Sequence, residues 1–168
     1  MNRKNATLFV LAVVLLVGAG FRFIRFFREG GSSDGLAYFY DVSERKLFVA
    51  PRTLVPPIRG INDDELDGLR AVVISTTGNA KDEANRKIAY LEKYSPELKQ
   101  QLEAMQSGQE SVGGTGSRIS RGAAQSLTFV RRLEEETWYA VNSPEAETIM
   151  TEWQVPGSDG RTPFVCVP

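Results

Sequence analysis

The sequence contains no histidine and a single cysteine, Cys166, among its 168 residues. Without histidine, the chain cannot form a Ser–His or Cys–His catalytic pair or a histidine metal site. One cysteine also excludes an intramolecular disulfide and any zinc or iron–sulfur site built from several cysteines. We expect Cys166 to be buried, because it lies in an apolar stretch near the C-terminus.

An excess of basic residues is also missing. The whole chain has 20 basic and 21 acidic side chains. Residues 1–29 take five of the basic ones and one of the acidic ones, which leaves 15 basic and 20 acidic side chains for residues 30–168. Binding to nucleic acid requires a basic face that neutralises phosphates. The mildly acidic composition of residues 30–168 therefore argues against a nucleic-acid partner.

A long uncharged run lies near the N-terminus. Residues 8–21 read LFVLAVVLLVGAGF. As a helix this run would rise about 21 Å, less than the hydrocarbon thickness of roughly 30 Å. Extension to residue 27 spans the bilayer if the arginines there reach the headgroups. We therefore predict that residues 1–29 form a single-pass membrane anchor that contacts lipid through residues 8–27, with the marker residues Leu8, Phe9, Leu15, Leu16, Phe21, Arg22 and Arg25.

Two other interpretations of this segment stay open. The small residues Val-Gly-Ala at 17–19 would suit cleavage of a secretory signal, and the run could also be a buried core helix. Basic residues flank the run on both sides, so the positive-inside rule gives nearly balanced flanks. A short basic region before a short apolar run is the usual layout for export. We therefore expect the domain that follows the anchor to be extracytoplasmic.

Strand patterns dominate the rest of the chain. Residues 30–35 (GGSSDG) have the composition of a flexible linker, and we expect residues 36–168 to form a single domain. Aromatic and β-branched runs predict two hairpins, at 36–50 and 127–142, and a short closing strand at 163–167. The run RAVVIST at 70–76 predicts a central buried strand.

Helices are predicted around two Ser-Pro-Glu sequences. Ser95 suits an N-cap and Pro96 the first helical position, so we predict two helices, at 82–94 and 96–107. Ser143 precedes a second Pro-Glu pair, which predicts a short helix to residue 153. Residues 107–126 are rich in glycine and serine and predict a flexible loop or a binding loop. The predicted fold class is α+β, with a mainly antiparallel sheet of two hairpins plus a central strand and two to three helices.

The layout of one apolar N-terminal helix followed by a small α+β domain resembles that of the pilin-like proteins. In that family a Gly-Phe processing site precedes the apolar helix, and a glutamate lies a few residues inside the helix. Here Gly20-Phe21 comes at the end of the run, and Arg25 stands where the glutamate would be. The resemblance is one of layout only. It implies, as an alternative function, an assembly subunit that polymerises through its helix.

One acidic cluster has the pattern of a cation site. Asp63, Glu65 and Asp67, followed by Gly68, resemble the start of a calcium loop, in which alternating oxygens converge on the ion. The twelfth position of such a loop should be a bidentate glutamate, and here it is Ile74, inside the predicted central strand. We therefore treat these three acids as weak metal candidates on a solvated turn, and we expect no metal and no cofactor.

Three prolines mark a candidate partner-binding loop. Pro51, Pro56 and Pro57 stiffen a segment that a partner could recognise at a small ordering cost. Because no catalytic motif accompanies it, we predict a membrane-anchored, non-enzymatic interaction or structural subunit that binds another protein. The alternatives are a small membrane-tethered enzyme that uses carboxylates and the pilin-like assembly subunit.

Overall fold

The computed structural model describes residues 35–62, 65–77, 83–108, 119–157 and 160–168 of the chain. These residues belong to one unit, Gly35–Pro168. The predicted anchor, residues 8–27, lies outside them. Among the helices that are described, none has the length and apolar character needed to cross a membrane.

The described part of the domain contains seven strands and three α-helices. The strands are β1 (Leu36–Asp41), β2 (Lys46–Pro51), β3 (Gly68–Ser75), β4 (Arg86–Tyr94), β5 (Thr128–Arg131), β6 (Tyr139–Ala140) and β7 (Phe164–Val165). The helices are α1 (Pro96–Gln106), α2 (Arg121–Ser126) and α3 (Pro144–Thr151), with 3₁₀ turns at Glu83–Asn85 and Glu152–Gln154. The strand order is β2-β1-β3-β4-β5-β6 with β7 beside β3, and these pairings are antiparallel. The predicted α+β fold with a mainly antiparallel sheet is confirmed.

Both predicted hairpins form, and a buried aspartate organises the first. β1 and β2 are joined by a turn at residues 42–45, in which Arg45 has a φ of 53°. The carboxylate of Asp41 accepts hydrogen bonds from the Ser43 hydroxyl at 2.9 Å, the Glu44 N–H at 2.8 Å and the Ile61 N–H at 2.6 Å. Asp41 therefore ties this turn to the loop between β2 and β3.

These hydrogen bonds also set the charge of Asp41. Burial of the carboxylate raises its pKa, but the hydrogen bonds from Glu44, Ile61 and Ser43 lower it and prevail. The pKa of Asp41 consequently lies below its ordinary value. The ionised form is the one that holds the loop.

The central strand lies where the sequence predicts it. β3 pairs with β1, β4 and β7, so it has neighbours on both sides. Val73 and Ile74 are buried, with 1% and 6% of their surface exposed. At the start of the strand, Gly68 exchanges backbone hydrogen bonds with Ile58, and a Cβ at Gly68 would lie 2.8 Å from the Ile58 side chain. Only glycine fits this close approach without a shift of the neighbouring loop.

The helix predicted at 82–94 is wrong, because most of this segment is strand β4. Ala71 lies opposite Leu91 and Val73 lies opposite Ile88, with a register shift between these two pairs. Ala71 and Val73 are two residues apart on β3, but the residues opposite them, Leu91 and Ile88, are three residues apart on β4. The bulge places Ile88 and Leu91 against the same apolar cluster. Their spacing of three imitates the period of a helix.

The other two predicted helices begin at the residues that the sequence predicts. The Ser95 hydroxyl accepts from the Leu98 N–H and Pro96 opens α1, while the Ser143 hydroxyl accepts from the Ala146 N–H and caps α3 in the same way. Residues 107–126 differ from the prediction of a loop, because their last six residues form α2. Residues 109–118 lie outside the described ranges.

Two clusters of buried apolar side chains lie among the described residues. One cluster contains Tyr38, Leu69, Ala71, Val73, Leu91 and Cys166. The other contains Val130, Ala146 and Ile149, and it packs α3 against the sheet. Cys166 is buried as predicted, and its burial raises the pKa of the thiol, although Arg86 opposes this effect.

Candidate binding groove

An open groove lies beside the end of β4 and the start of α1. Its volume is about 710 Å³. The apolar part of its wall consists of Pro57, Leu66, Tyr94, Pro96, Phe129 and Trp138. Polar side chains complete the wall: Lys93, Ser95, Lys99, Gln100 and Glu103. We call this surface the Trp138 groove.

Two cations contact the indole ring of Trp138. The Lys93 ammonium lies 4.2 Å from the ring centre and the Arg131 guanidinium carbon lies 5.0 Å from it. The β4–β5 register produces this arrangement, because Lys93 is opposite Phe129 and Arg131 is opposite Leu91. Residues two apart on a strand share a face, so the two cations are diagonal neighbours beneath the ring.

This pair of cations has no close acid in the described part of the chain. Neither Lys93 nor Arg131 has a carboxylate oxygen within 4.0 Å there. Arg131 instead donates to the backbone carbonyls of Leu133 and Glu135. Burial lowers the pKa of Lys93, and the charge of Arg131 lowers it further. One end of the groove is therefore positive and partly desolvated.

The pKa of Arg131 follows the same pattern. Burial lowers it, against smaller opposing effects from Tyr40 and Glu136. A negative group that entered the groove would raise the pKa values of Lys93 and Arg131 again, because an opposite charge favours the charged form of each cation.

The second lysine of the groove is engaged in structure. Lys99 donates to the carbonyls of Val55 and Pro57, each at 2.7 Å, and it forms an ion pair with Glu103 at 2.9 Å. These contacts fix the proline-rich loop against α1. The carboxylate of Glu103 is consequently occupied by a cation of its own helix.

Tyr94 is the last residue of β4, next to the groove lysine Lys93. Burial raises its pKa to about 12, with a further rise from Glu92 that Arg70 partly opposes. The Tyr94 phenol therefore stays protonated at neutral pH. Its side chain shares a face of the sheet with Glu92, two residues away on β4, whereas Lys93 and Phe129 lie on the other face.

The three predicted partner-loop prolines fall in different environments. Pro51 is the exposed last residue of β2, Pro56 is fully buried, and Pro57 is half-buried in the groove wall. The Tyr94 N–H donates to the Pro56 carbonyl at 3.2 Å, so this loop is packed against the domain. Of the three, only Pro57 belongs to the groove.

The acidic cluster is described in part. Asp63 lies outside the described residues, Glu65 is exposed, and Asp67 accepts a hydrogen bond from the Ser43 N–H at 2.9 Å. Across the ranges that the structure covers, no three metal-binding side chains come together. The role of Asp67 seen here is to hold the first hairpin turn. The marker residues of the anchor, Leu8 to Arg25, also lie outside the description.

Sequence reasoning did not single out the groove. The predicted helix at 82–94 includes Lys93 and the predicted hairpin at 127–142 includes Trp138, so these predictions do not bring the two residues together. Their contact depends on the β4–β5 register, which a single sequence does not reveal. Comparisons with protein-family models, curated proteins and solved structures find no match for this chain. Its function must therefore be argued from the residues of the groove.

Proposed function

We propose that this protein is a membrane-anchored, non-enzymatic interaction subunit whose domain binds an extended segment of a partner protein in the Trp138 groove. The observation that carries the proposal is the pair of cations on Trp138 at one end of an apolar groove. The preferred segment carries an acidic side chain next to apolar ones.

The charge of Lys93 is the reason for expecting an acidic side chain in the partner segment. A carboxylate beside Lys93 would form a charge-assisted hydrogen bond in a partly desolvated place, where such bonds are stronger than on an open surface. Lys99 is already saturated by two carbonyls and by Glu103, so Lys93 is the groove lysine that favours an incoming anion.

The apolar lining of the groove is the reason for expecting apolar side chains in the partner segment. Phe129, Pro57 and Leu66 offer a surface on which leucine-sized or aromatic side chains can be buried. Burial of one such side chain contributes about 1.5–3 kcal/mol. An alternating acidic and apolar strand would satisfy both parts of the groove.

The membrane part of the proposal rests on residues 8–27. If this run holds the chain in the bilayer, the full-length protein should stay in the membrane pellet after alkaline extraction. Replacing Leu15 and Leu16 by arginine should release it, since a charge at the centre of a span costs about 2.5–3.5 kcal/mol. Replacing both by alanine is the matched control. Recovery of the uncleaved wild-type chain in the soluble fraction contradicts the anchor.

Binding can be tested with peptides of defined composition. The probe is a labelled peptide that alternates leucine with glutamate, and the control peptide has lysine for glutamate. Trp153→Phe leaves Trp138 as the only tryptophan of the chain, so its emission reports on the groove. The full-length protein in mild detergent should bind the acidic peptide at least about tenfold more tightly and change its emission on binding. Equal binding of both peptides, or an unchanged emission, would refute the groove as the site.

A further inference from the structure

One face of the first hairpin carries a strip of exposed apolar side chains. In the β1–β2 register Leu36 lies opposite Pro51 and Val49 lies opposite Tyr38, and residues that are opposite each other or two apart on a strand share a face. Leu36, Leu47 and Val49 are exposed, with 41%, 38% and 47% of their surface open. Pro51 is exposed as well. We call these four residues the hairpin strip.

The hairpin is apolar on its other face too, but that face is covered. Phe39 is fully buried and Phe48, opposite it, is half-buried, with ring centres 5.8 Å apart. An antiparallel hairpin that packs one face on the domain usually turns a polar face to water. The hairpin strip departs from this pattern. A group of apolar side chains left open in this way indicates an interaction surface.

The chain enters the domain at one end of the hairpin strip. The Gly35 carbonyl accepts a hydrogen bond from the Arg52 N–H at 2.8 Å, which fixes the end of the linker beside Leu36 and Pro51. Residues 28–34 connect Gly35 to the apolar run at 8–27. Even a fully extended chain spans no more than about 30 Å from residue 27 to Gly35. If residues 8–27 span the bilayer, the hairpin strip therefore lies within reach of the bilayer surface.

We propose that the hairpin strip rests on the bilayer that holds residues 8–27, with Leu36, Leu47 and Val49 at the boundary between headgroups and acyl chains. This inference rests on the membrane anchor of the proposed function. Removal of the three side chains from water drives the contact. The short linker makes the contact intramolecular, so that a modest apolar area is sufficient. Tyr40, half-buried opposite Leu47, is of a residue type that membrane interfaces favour.

Contact with lipid leaves the Trp138 groove accessible. The hairpin strip belongs to β1 and β2, at one edge of the sheet. The groove residues Lys93 and Phe129 belong to β4 and β5, and β3 separates the two pairs of strands. Docking on the bilayer and binding of a partner segment can therefore occur together.

The contact can be measured with a fluorescent label on the hairpin strip. Val49→Cys in the full-length protein is labelled with a thiol-reactive NBD group and reconstituted into phosphatidylcholine vesicles, and the wild-type chain gives the background from buried Cys166. The label at residue 49 should emit at shorter wavelength than in detergent-free buffer. It should also lose emission when the vesicles contain a lipid with a spin label near the headgroup.

Val165→Cys is the matched control for this label. Val165 has the same exposed fraction of 47%, but it lies opposite Ile74, while its neighbour Cys166 packs with Tyr38 on the face of the hairpin strip. Successive side chains of a strand point to opposite faces, so Val165 is on the other face of the sheet. A label at residue 165 should show neither the shift in wavelength nor the quenching.

A charge on the hairpin strip gives a second test that does not depend on the label's own affinity for lipid. With the label on Leu47→Cys, the additional substitution Val49→Glu should remove most of the quenching, because a carboxylate resists transfer to an apolar layer. The additional substitution Val165→Glu should leave the quenching as it was.

Flotation of the vesicles separates the outcomes. A chain that does not float with the vesicles overturns both the anchor and the docking. A chain that floats but shows equal quenching at residues 49 and 165 overturns the docking alone. A shift in wavelength at residue 49 that the spin-labelled lipid does not quench overturns the docking too, and means that a protein surface such as a second copy covers the strip. Peptide binding in the Trp138 groove is measured separately and does not depend on these results.

Discussion

The Lys93 ammonium lies 4.2 Å from the centre of the Trp138 ring, although the two residues are far apart in the sequence. Such a cation–π contact contributes about 0.5–1 kcal/mol on an exposed surface and about 2 kcal/mol where water is excluded. Arg131 reaches the same ring at 5.0 Å. The indole therefore holds two like charges side by side, and a carboxylate is the group that best relieves their repulsion.

The role of the ring can be tested with Trp138→Leu. Leucine keeps an apolar surface but removes the π face, so the repulsion between Lys93 and Arg131 is no longer offset. We expect the free energy of unfolding to fall by about 1–2 kcal/mol and binding of the acidic peptide to weaken at least about tenfold. Chemical unfolding and peptide titration of the full-length protein measure both. Trp153→Phe, which leaves the groove intact, should retain binding.

The buried centre of the sheet can be tested with Ile74→Ala. Ile74 is 6% exposed in β3, so the loss of its side chain should destabilise the domain by about 2–5 kcal/mol through lost burial and a residual cavity. Val165 pairs with Ile74 from β7 but is 47% exposed. Val165→Ala should therefore cost much less. Similar unfolding midpoints for the two variants would contradict the placement of β3.

Asp41→Asn tests the tie between the first hairpin and the following loop. The amide cannot accept all the hydrogen bonds of the carboxylate, so we expect a loss of roughly 1–3 kcal/mol at neutral pH. The native pKa of Asp41 is lowered, so its contribution is present above the unfolded-state pKa of about 4 and is lost as pH falls through the native value.

The difference in stability between wild type and Asp41→Asn should therefore shrink as the solution becomes acidic. Urea unfolding at several pH values measures this difference, in which the contributions of the other titrating groups cancel. A difference that stays constant with pH would show that the charge of Asp41 is not what holds the turn.

Lys99→Met tests how the groove wall is fixed. Methionine keeps the apolar stem of the side chain but leaves the carbonyls of Val55 and Pro57 without their donor. We expect a loss of roughly 1–3 kcal/mol, together with weaker peptide binding because Pro57 is no longer held in place. Lys87, exposed on β4, is the control, and Lys87→Met should change stability by less than about 0.5 kcal/mol. Equal effects of the two substitutions would contradict the structural role of Lys99.

Local signals predicted much of the fold. Ser95 and Pro96 start α1 because a cap and a fixed φ act within one turn of the chain. The central strand was predictable for a similar reason, since uninterrupted β-branched residues favour burial in a sheet. Both features depend on neighbouring residues alone.

The segment before α1 could not be predicted in the same way. Ile88 and Leu91 share an environment because of a bulge, which is a property of the β3–β4 pairing and not of either strand. The pattern of β4 by itself favours a helix. The groove escaped prediction for a related reason: Lys93, Arg131 and Trp138 meet only after three strands are in register.

The most direct test of the account is a reversal of charge at Lys93. Lys93→Glu should abolish the preference of the groove for the glutamate-bearing peptide, because the new carboxylate would lie beside Arg131 and cancel its charge. Lys87→Glu makes the same change on the same strand outside the groove, and it should keep the wild-type preference. Peptide titration followed by anisotropy gives both affinities for each variant. If Lys93→Glu still prefers the acidic peptide as strongly as the wild type does, the Trp138 groove does not recognise an acidic partner.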